Sequence, residues 1–299
     1  MPQGAAVASE NPRWLRAAPA LFLLLWSSGF VFLKLGLRYA DPLTFLALRY
    51  ACVMALLIGP CLWLRPRMPP GLAPWLHLAV VGLLIQAGYF SFTYLSLKHG
   101  MSAGAVALVT SQQPILIGLL APVMAGERVG RVQWAGLVLG VTGATIVIAA
   151  KSAIAFSSTA AVVFAVLALL AMTGGTLWEK RFGTEVHPVL ANTVQYAVGL
   201  AVTAPLAFWL EPMHVDWTPG LFGSLAYLVI GNSLVAISLL LAMIRHGEAS
   251  RVSALFFLVP PMTAVIAFVV LGESIPGLAW AGMVLAAAGL YLVTRRQAR

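Results

Sequence analysis

The sequence predicts an all-α membrane protein of ten transmembrane helices, built as two inverted five-helix repeats with both termini in the cytoplasm. The first observation is composition: 61% of the 299 residues are hydrophobic and 9% are charged, and the mean hydropathy is +0.94. These values lie outside the range of soluble globular proteins. The second observation is a series of apolar segments of membrane-spanning length, and the third is an internal repeat.

The apolar segments follow one another along the chain with short loops between them, and we number them spans 1 to 10. A helix needs about 20 mainly apolar residues to cross the hydrocarbon core of a bilayer. Arg13 and Arg16 precede span 1 as they would precede a signal peptide, but no small-residue cleavage site follows, which indicates a retained helix. The spans lie at roughly 17–38, 42–64, 73–96, 101–124, 131–150, 158–180, 188–210, 219–243, 248–271 and 277–295.

The two halves of the chain repeat each other at an offset of 146 residues, since GERVGRVQWAG begins at Gly126 and GESIPGLAWAG at Gly272. Five spans per copy is an odd number, so the second copy enters the membrane from the opposite side, and an in-plane pseudo-two-fold axis relates the halves. The same offset relates Gly29 to Gly175, Lys34 to Lys180, Pro42 to Pro188, Tyr50 to Tyr196 and Trp134 to Trp280. The expected segments are a cytoplasmic tail at 1–16, the first repeat at 17–150, a linker at 151–157, the second repeat at 158–296 and a second tail at 297–299.

The distribution of basic residues predicts the orientation. With ten spans, the side that holds both termini carries thirteen of the eighteen Lys and Arg residues, while the other side carries four. Cytoplasmic loops are the ones enriched in Lys and Arg, so both termini are expected in the cytoplasm. The net charge of +9 is explained in this way without a nucleic-acid partner, and its placement fits the inner (plasma) membrane of a bacterium.

Span 1 holds Trp26, the one tryptophan well inside a span, followed by Ser27, Ser28 and Gly29. Such small residues permit close helix approach or leave open space, and an indole offers a flat apolar surface with one donor. Trp26 therefore lines a cavity or packs in the core. In span 2, Arg49 lies about two turns from the helix start, and we expect its long side chain to snorkel outward in a structural role.

Neutral polar residues at mid-membrane are the candidate substrate-binding residues. Gln86 in span 3 and Asn232 in span 8 are repeat mates, so the fold should bring both towards the midplane axis where inverted-repeat transporters bind substrate. Helical spacing adds Tyr89, Phe90 and Thr93 to the face of Gln86. The alternative role of the two amides is an interhelical hydrogen bond that holds the halves together.

Spans 4 and 9 contain repeat-equivalent prolines, Pro114 and Pro260, the latter followed by Pro261. A proline inside a helix removes a backbone hydrogen bond and kinks the helix, so we expect these residues to act as hinges, with a static bend as the alternative. Ser111 and Gln112 lie just before the first kink, where freed carbonyls and polar side chains are expected to bind a ligand.

The acidic residues all lie in the tail or near span ends, and none is expected at mid-membrane. Glu127 and Glu273 precede spans 5 and 10, where the positive end of the helix dipole favours an acid, so both are interpreted as structural caps. His77, the nearest titratable candidate for proton coupling, is nine residues from Gln86, or about 13 Å along a helix. The pattern therefore favours facilitated diffusion without proton coupling.

Catalytic, metal and cofactor sites are not expected. GMSAG at Gly100 fits the G-x-S-x-G pattern of hydrolases, but it opens an apolar helix instead of following a strand. Cys52 and Cys61 are nine residues apart on one helix, too far for a disulfide and without further metal ligands.

The duplicated five-helix unit, the GE before spans 5 and 10 and the WAG that follows each resemble the ten-helix EamA-type members of the drug/metabolite transporter superfamily. The resemblance covers about 17–295, and within the superfamily the chain looks most like YddG-type exporters of aromatic amino acids. The resemblance implies a central cavity lined by spans 1, 3, 4, 6, 8 and 9, with spans 5 and 10 peripheral. The four-helix small multidrug relatives use a glutamate in their first helix, and span 1 has none.

We therefore expect an exporter of amphiphilic small metabolites, above all of aromatic amino acids. The expected mechanism is alternating access with facilitated diffusion. Carriers of phosphate dianions need several buried cations, whereas Arg49 is the single basic residue well inside a span. The alternatives are a proton-coupled exporter of drugs or other metabolites, a non-transporting assembly subunit and an intramembrane hydrolase. The expected partners are a small-molecule substrate and the lipid bilayer, with a monomer favoured.

Overall fold

The structure is a computed structural model that describes residues 13–125, 130–152, 158–183, 186–239, 243, 258–272 and 274–294. Most of these residues are helical, and an isolated antiparallel bridge between Ala40 and Val215 is the one β-type pairing among them. Glu127 and Glu273, the expected caps, lie outside the described residues, as do the tail residues 1–12 and 295–299.

Eleven helices are described. Span 4 corresponds to two of them, because the helix is interrupted at Ser111 and Gln112. The helices are α1 (Arg13–Gly36), α2 (Pro42–Leu64), α3 (Ala73–Lys98), α4 (Ala103–Thr110), α5 (Gln113–Ala125), α6 (Arg131–Ser152), α7 (Thr159–Phe182), α8 (Pro188–Leu210), α9 (Pro219–Leu239), α10 (Val259–Leu271) and α11 (Gly277–Thr294).

Seven stretches of the described residues are long and apolar enough to cross a membrane, which makes the chain a multi-pass membrane protein. Two shorter apolar helices, Val259–Leu271 and Gly277–Gly289, accompany them. The seven are Ala17–Gly36, Pro42–Leu64, Ala73–Lys98, Ala103–Leu120, Thr159–Phe182, Pro188–Leu210 and Pro219–Leu239.

Local sequence signals explain where the helices begin. Pro42, Pro188 and Pro219 occupy the first turns of α2, α8 and α9, where the missing N–H of proline has no helical partner to lose. Ser102 and Ser158 precede α4 and α7, and each hydroxyl accepts a hydrogen bond of 3.2 Å from a first-turn N–H. These side-chain caps satisfy backbone donors that the helix itself leaves open.

Helices α6 and α11, the fifth helices of the two repeats, pack through glycine. A Cβ on Gly143 would lie 2.5 Å from the backbone of Gly282 and Ala286, and a Cβ on Gly289 would lie 2.5 Å from the backbone N of Gly140. As the residue number rises in one helix it falls in the other, so the helices are antiparallel. Gly143 and Gly289 are repeat mates, and each contacts the same part of the other helix.

The α1–α2 and α8–α9 connections meet at one end of the molecule. Glu211, just after α8, accepts hydrogen bonds of 2.8 Å from the backbone N–H groups of Leu43 and Thr44 at the start of α2. Asp41 accepts a hydrogen bond of 2.9 Å from the backbone N–H of His214 and lies 3.9 Å from the Lys98 ammonium at the end of α3. The two halves are therefore joined at this end by capping carboxylates.

The middle of α3 and the middle of α9 are π-helical, over Gly82–Tyr89 and Tyr227–Ala236. The offset of 146 residues places the first segment within the second, so the irregularity occurs in both repeats. A π-helical turn has wider hydrogen-bonded rings than an α-helix, and such turns are frequent at functional sites. Gln86 and Asn232 lie within these segments.

The prolines of spans 4 and 9 lie at the starts of described helices. Pro114 is the second residue of α5 and Pro260 is the second residue of α10, followed by Pro261. A proline in the first turn of a helix needs no intrahelical N–H bond. In span 4 the break at Ser111 and Gln112 lies where the kink was expected, whereas residues 244–257 before α10 lie outside the described part of the chain.

Candidate substrate site

A narrow cavity lies between α1, α2, α3 and α9, so both repeats contribute to its wall. The space between its lining side chains amounts to ≈ 270 Å³, open solvent included. The lining residues are Trp26, Gly29, Phe30, Leu33, Arg49, Tyr89, Phe90, Thr93, Leu228 and Asn232.

Arg49 is the single charged residue of this lining, and its side chain points inward. It is 1% exposed, so the expectation that it snorkels outward is wrong. The guanidinium donates hydrogen bonds to Ser233 Oγ (2.9 and 3.1 Å), Asn232 Oδ1 (2.9 Å) and Tyr94 Oη (3.3 Å). Its central carbon also lies 4.7 Å from the ring centroid of Phe90, a cation–π contact. These partners hold the cation in the bundle without a carboxylate.

The described carboxylates are engaged elsewhere. Glu211 and Asp41 cap backbone N–H groups at the end of the molecule where α2 begins, and Asp216 lies 3.2 Å from His214. Glu179 lies in the last turn of α7. Within the described part of the chain no acidic side chain forms an ion pair with Arg49 or lines the cavity.

Asn232 joins the two halves and lines the cavity as well. Its Oδ1 accepts from Arg49 of the first repeat, and its Nδ2 donates to the Leu25 carbonyl at 3.4 Å. Asn232 therefore makes the interhelical contact that the sequence offered as one alternative, and it also lines the cavity. Gly29 on α1 makes this arrangement possible, because a Cβ there would lie 2.5 Å from Asn232 Nδ2.

Gln86, the repeat mate of Asn232, is 4% exposed but is not among the cavity-lining residues. Its carbonyl accepts a 2.6 Å hydrogen bond from Tyr50 Oη, and its Cβ faces Gly199 of α8. Tyr50 also meets its own repeat mate, Tyr196, with ring centroids 5.4 Å apart. Gln86 therefore lies in the packed contact between the halves.

The other candidate residues divide between the cavity and the break in span 4. Trp26, Tyr89, Phe90 and Thr93 line the cavity together with Asn232. Ser111 and Gln112 do not: Ser111 Oγ and Gln112 Nε2 donate to the Leu108 carbonyl at 2.8 and 2.9 Å. These bonds satisfy a carbonyl near the helix interruption, so the polar groups expected to face a ligand are used by the local backbone.

Sequence reasoning singled out Gly29 beside Trp26, but it did not find Phe30, Leu33, Leu228 or the inward direction of Arg49. One signal was available for Arg49. Ser233 follows Asn232 directly, and two polar neighbours at mid-membrane can form hydrogen bonds with a buried guanidinium from another helix. The three apolar residues carry no signal of their own, because they resemble any lipid-facing or core position.

A cavity with a few polar groups in an apolar lining, placed between two repeats of apolar helices, is typical of the general class of membrane carriers. The model of the EamA-like transporter family matches residues 17–149 and 159–295, so the chain belongs to the EamA-like transporter family. It is a transporter and not an enzyme, and the family expected from the sequence is confirmed.

Similar proteins span nearly the full length of the chain. An "Uncharacterized transporter" of Archaeoglobus fulgidus is 27% identical over 288 residues, covering 93% of this chain and 96% of the relative. The "Probable amino-acid metabolite efflux pump" of Salmonella typhimurium is 28% identical over 287 residues, covering 91% and 92%. The "Probable terminal-alkyne amino-acid exporter" of Streptantibioticus cattleyicolor is 29% identical over 297 residues, covering 93% of each chain. A solved crystal structure aligns with a TM-score of 0.70 at 19% identity over 94% of this chain and 96% of that chain, which shows a shared fold.

Proposed function

We propose that this protein exports small amphiphilic metabolites that carry a carboxylate, in first place aromatic amino acids, across a bacterial inner membrane. The proposal rests on one observation, the buried guanidinium of Arg49, which has no carboxylate partner among the described residues. A charged side chain within a bilayer costs about 2.5 kcal/mol or more, and the hydroxyl and amide partners of Arg49 offset this cost without neutralising the charge. A substrate carboxylate would pair with the guanidinium, while Trp26, Phe30 and Phe90 offer aromatic surface to an apolar side chain.

The names of two relatives support export of amino acids in particular. The Salmonella protein is named as an efflux pump for amino-acid metabolites, and the Streptantibioticus protein as an exporter of a terminal-alkyne amino acid. The lining of the cavity suits such solutes chemically, since it combines one cation with aromatic and aliphatic walls.

For the architecture, we propose ten spans, with the halves inverted in the membrane and both termini in the cytoplasm. The antiparallel contact of α6 with α11 supports the inversion, because the two helices are repeat equivalents. The excess of Lys and Arg on the side of the termini supports the orientation. Reporter fusions at the C-terminus test it, and an extracytoplasmic signal would contradict it.

For the mechanism, we propose alternating access by facilitated diffusion. The halves rock about the cavity, with hinges near Pro114, Pro260 and Pro261 that absorb the bending. Two observations support uniport: no described acid lines the cavity, and His77 lies outside it, with its ring stacked on Phe182 at 5.6 Å. Proton coupling needs a titratable group where substrate binds, so the alternative is a coupled exporter that uses His77.

Counterflow in liposomes tests the function. Purified protein is reconstituted with unlabelled phenylalanine inside and radiolabelled phenylalanine outside, without a pH gradient. We expect transient accumulation of label that is absent from protein-free liposomes and much reduced by Arg49→Gln. Arg38→Gln is the matched control, because Arg38 is exposed near the end of α1 and should leave counterflow unchanged.

The same reconstituted liposomes distinguish the proposed carrier from an assembly subunit, from a proton-coupled exporter and from a carrier of phosphate esters. Absence of counterflow for every solute would refute the carrier function and favour an assembly subunit. If uphill accumulation follows an imposed pH difference and His77→Gln abolishes only that dependence, proton coupling replaces uniport. If phosphate esters exchange and carboxylates do not, the assigned role of Arg49 is wrong.

A further inference from the structure

We infer that the cavity recognises the carboxylate of its substrate but not the amino group, so that it also carries aromatic monocarboxylates without an amine, such as 2-oxo acids. This inference rests on the proposed function, because it assumes that substrate binds beside Arg49. It extends the substrate class from zwitterions to monoanions.

Charge balance is the first argument. Arg49 is the single charged residue in the cavity lining and has no acidic partner within the described part of the chain. A bound monoanion leaves no net charge in the buried site, whereas a bound zwitterion leaves the site as positive as when empty. Because uncompensated charge is costly in a medium of low dielectric, the monoanion gains the neutralisation and the zwitterion does not.

The shortage of hydrogen-bond acceptors is the second argument. An ammonium group has three donors and needs acceptors for them. Asn232 Oδ1 already accepts from Arg49, and the Leu25 carbonyl accepts from Asn232 Nδ2. The Ser27 carbonyl accepts from Thr263 Oγ1 at 3.0 Å. These three acceptors of α1 and α9 are therefore engaged before a substrate arrives.

The ring nearest to Arg49 offers an ammonium little compensation. A ring face attracts a cation, but the face of Phe90 is already occupied by the Arg49 guanidinium at 4.7 Å. A second cation beside Phe90 would lie close to a charge of the same sign. The hydroxyls of Tyr89 and Thr93 also line the cavity, and a hydroxyl can accept a hydrogen bond from an amine or donate one to a keto oxygen.

Three solutes with the same phenyl group and different charges test the inference. Phenylalanine has both charged groups, phenylpyruvate has the carboxylate alone, and phenethylamine has the ammonium alone. Counterflow of radiolabelled phenylpyruvate is measured directly, and each unlabelled solute is also used as an external competitor. We expect phenylpyruvate to exchange and to compete at least as strongly as phenylalanine, with phenethylamine at least 10-fold weaker.

The outcomes separate this inference from the proposed function. If phenylalanine exchanges and phenylpyruvate does not, or phenethylamine competes as well as phenylpyruvate, the inference is overturned and amino-acid export stands. If phenylpyruvate exchanges and phenylalanine does not, amino-acid export is overturned and recognition of the carboxylate stands. If neither exchanges, both are overturned.

Two Arg49 variants test the assignment of the charge. Arg49→Lys keeps the cation and should keep the preference for phenylpyruvate over phenethylamine at lower affinity. Arg49→Gln removes the cation and should reduce that preference at least 10-fold. Reading the ratio of the two competitors, instead of the absolute rate, makes the result independent of the amount of folded protein. An unchanged ratio in Arg49→Gln would refute the role of this residue.

Discussion

Replacing Gly29 with alanine should weaken substrate binding through Asn232. The added Cβ would lie 2.5 Å from Asn232 Nδ2 and 3.1 Å from its Cγ, whereas comfortable separations are about 3.5–4.0 Å. The amide must therefore move by about 1 Å. Its 3.4 Å hydrogen bond to the Leu25 carbonyl is already near the maximum length of a hydrogen bond. The movement also strains the hydrogen bond that Asn232 accepts from Arg49.

The expected loss of substrate affinity is estimated from the loss of the hydrogen bond between Arg49 and Asn232. A hydrogen bond to a charged group contributes about 1.5–3 kcal/mol, which corresponds to roughly 10- to 150-fold in affinity. Insertion of a methyl group into a packed contact also costs about 1–3 kcal/mol of stability. We therefore expect KM for phenylalanine counterflow to rise by about 10-fold or more, together with a lower melting temperature in detergent.

Gly175→Ala is the matched control, since Gly175 is the repeat mate of Gly29. A Cβ there also lies 2.5 Å from a side chain, but that side chain is the apolar Ile85, and neither residue lines the cavity. Gly175→Ala should lose similar stability and keep a normal KM. Equal changes of KM in both variants, or no change in Gly29→Ala, would refute the role assigned to the Gly29–Asn232 contact.

The remaining predictions concern the scaffold and the orientation of the chain. Gly143→Ala should lower the free energy of unfolding by about 3 kcal/mol, because the added Cβ meets the backbone of α11. Gly59→Ala in α2, where a Cβ meets nothing within 4 Å, should stabilise the helix by about 1 kcal/mol, and thermal melts in detergent compare the two. Glu211→Gln removes the charged cap of α2 and should cost about 1 kcal/mol, against little change for the more exposed Asp216→Asn. A reporter at the C-terminus should be active only in its cytoplasmic form, and the opposite result would reverse the orientation.

The helices could be predicted because they follow from local composition. Spans 2 and 7, expected at 42–64 and 188–210, coincide with α2 and α8, where proline marks the start of each helix. The repeat also predicted that equivalent features would occur twice, as the paired π-helical segments of α3 and α9 do. The π-helical geometry itself could not be predicted, because it depends on the hydrogen-bond register of the folded helix and leaves no residue pattern.

The site could be predicted less completely, because the sequence does not show which hydrogen-bond partner a polar side chain has in the folded bundle. Arg49 was expected at the interface with water, yet Ser233, Asn232 and Tyr94 together hold it inside. Ser111 was expected to face a ligand but bonds to the backbone of its own helix. In both cases the residue type indicated a polar role. Partners on other helices set the direction of the Arg49 side chain, whereas a local carbonyl three residues earlier bonds the Ser111 hydroxyl.

The contact between α6 and α11 has the geometry of an isologous dimer interface. Gly143 lies against Gly282, and Gly289, the mate of Gly143, lies against Gly136, the mate of Gly282. In a symmetric dimer every contact occurs twice in this way, because the same surface is presented by both partners. The two halves of this single chain therefore associate as two antiparallel subunits would, and a surface able to bind its own inverted copy needs no covalent connection to do so.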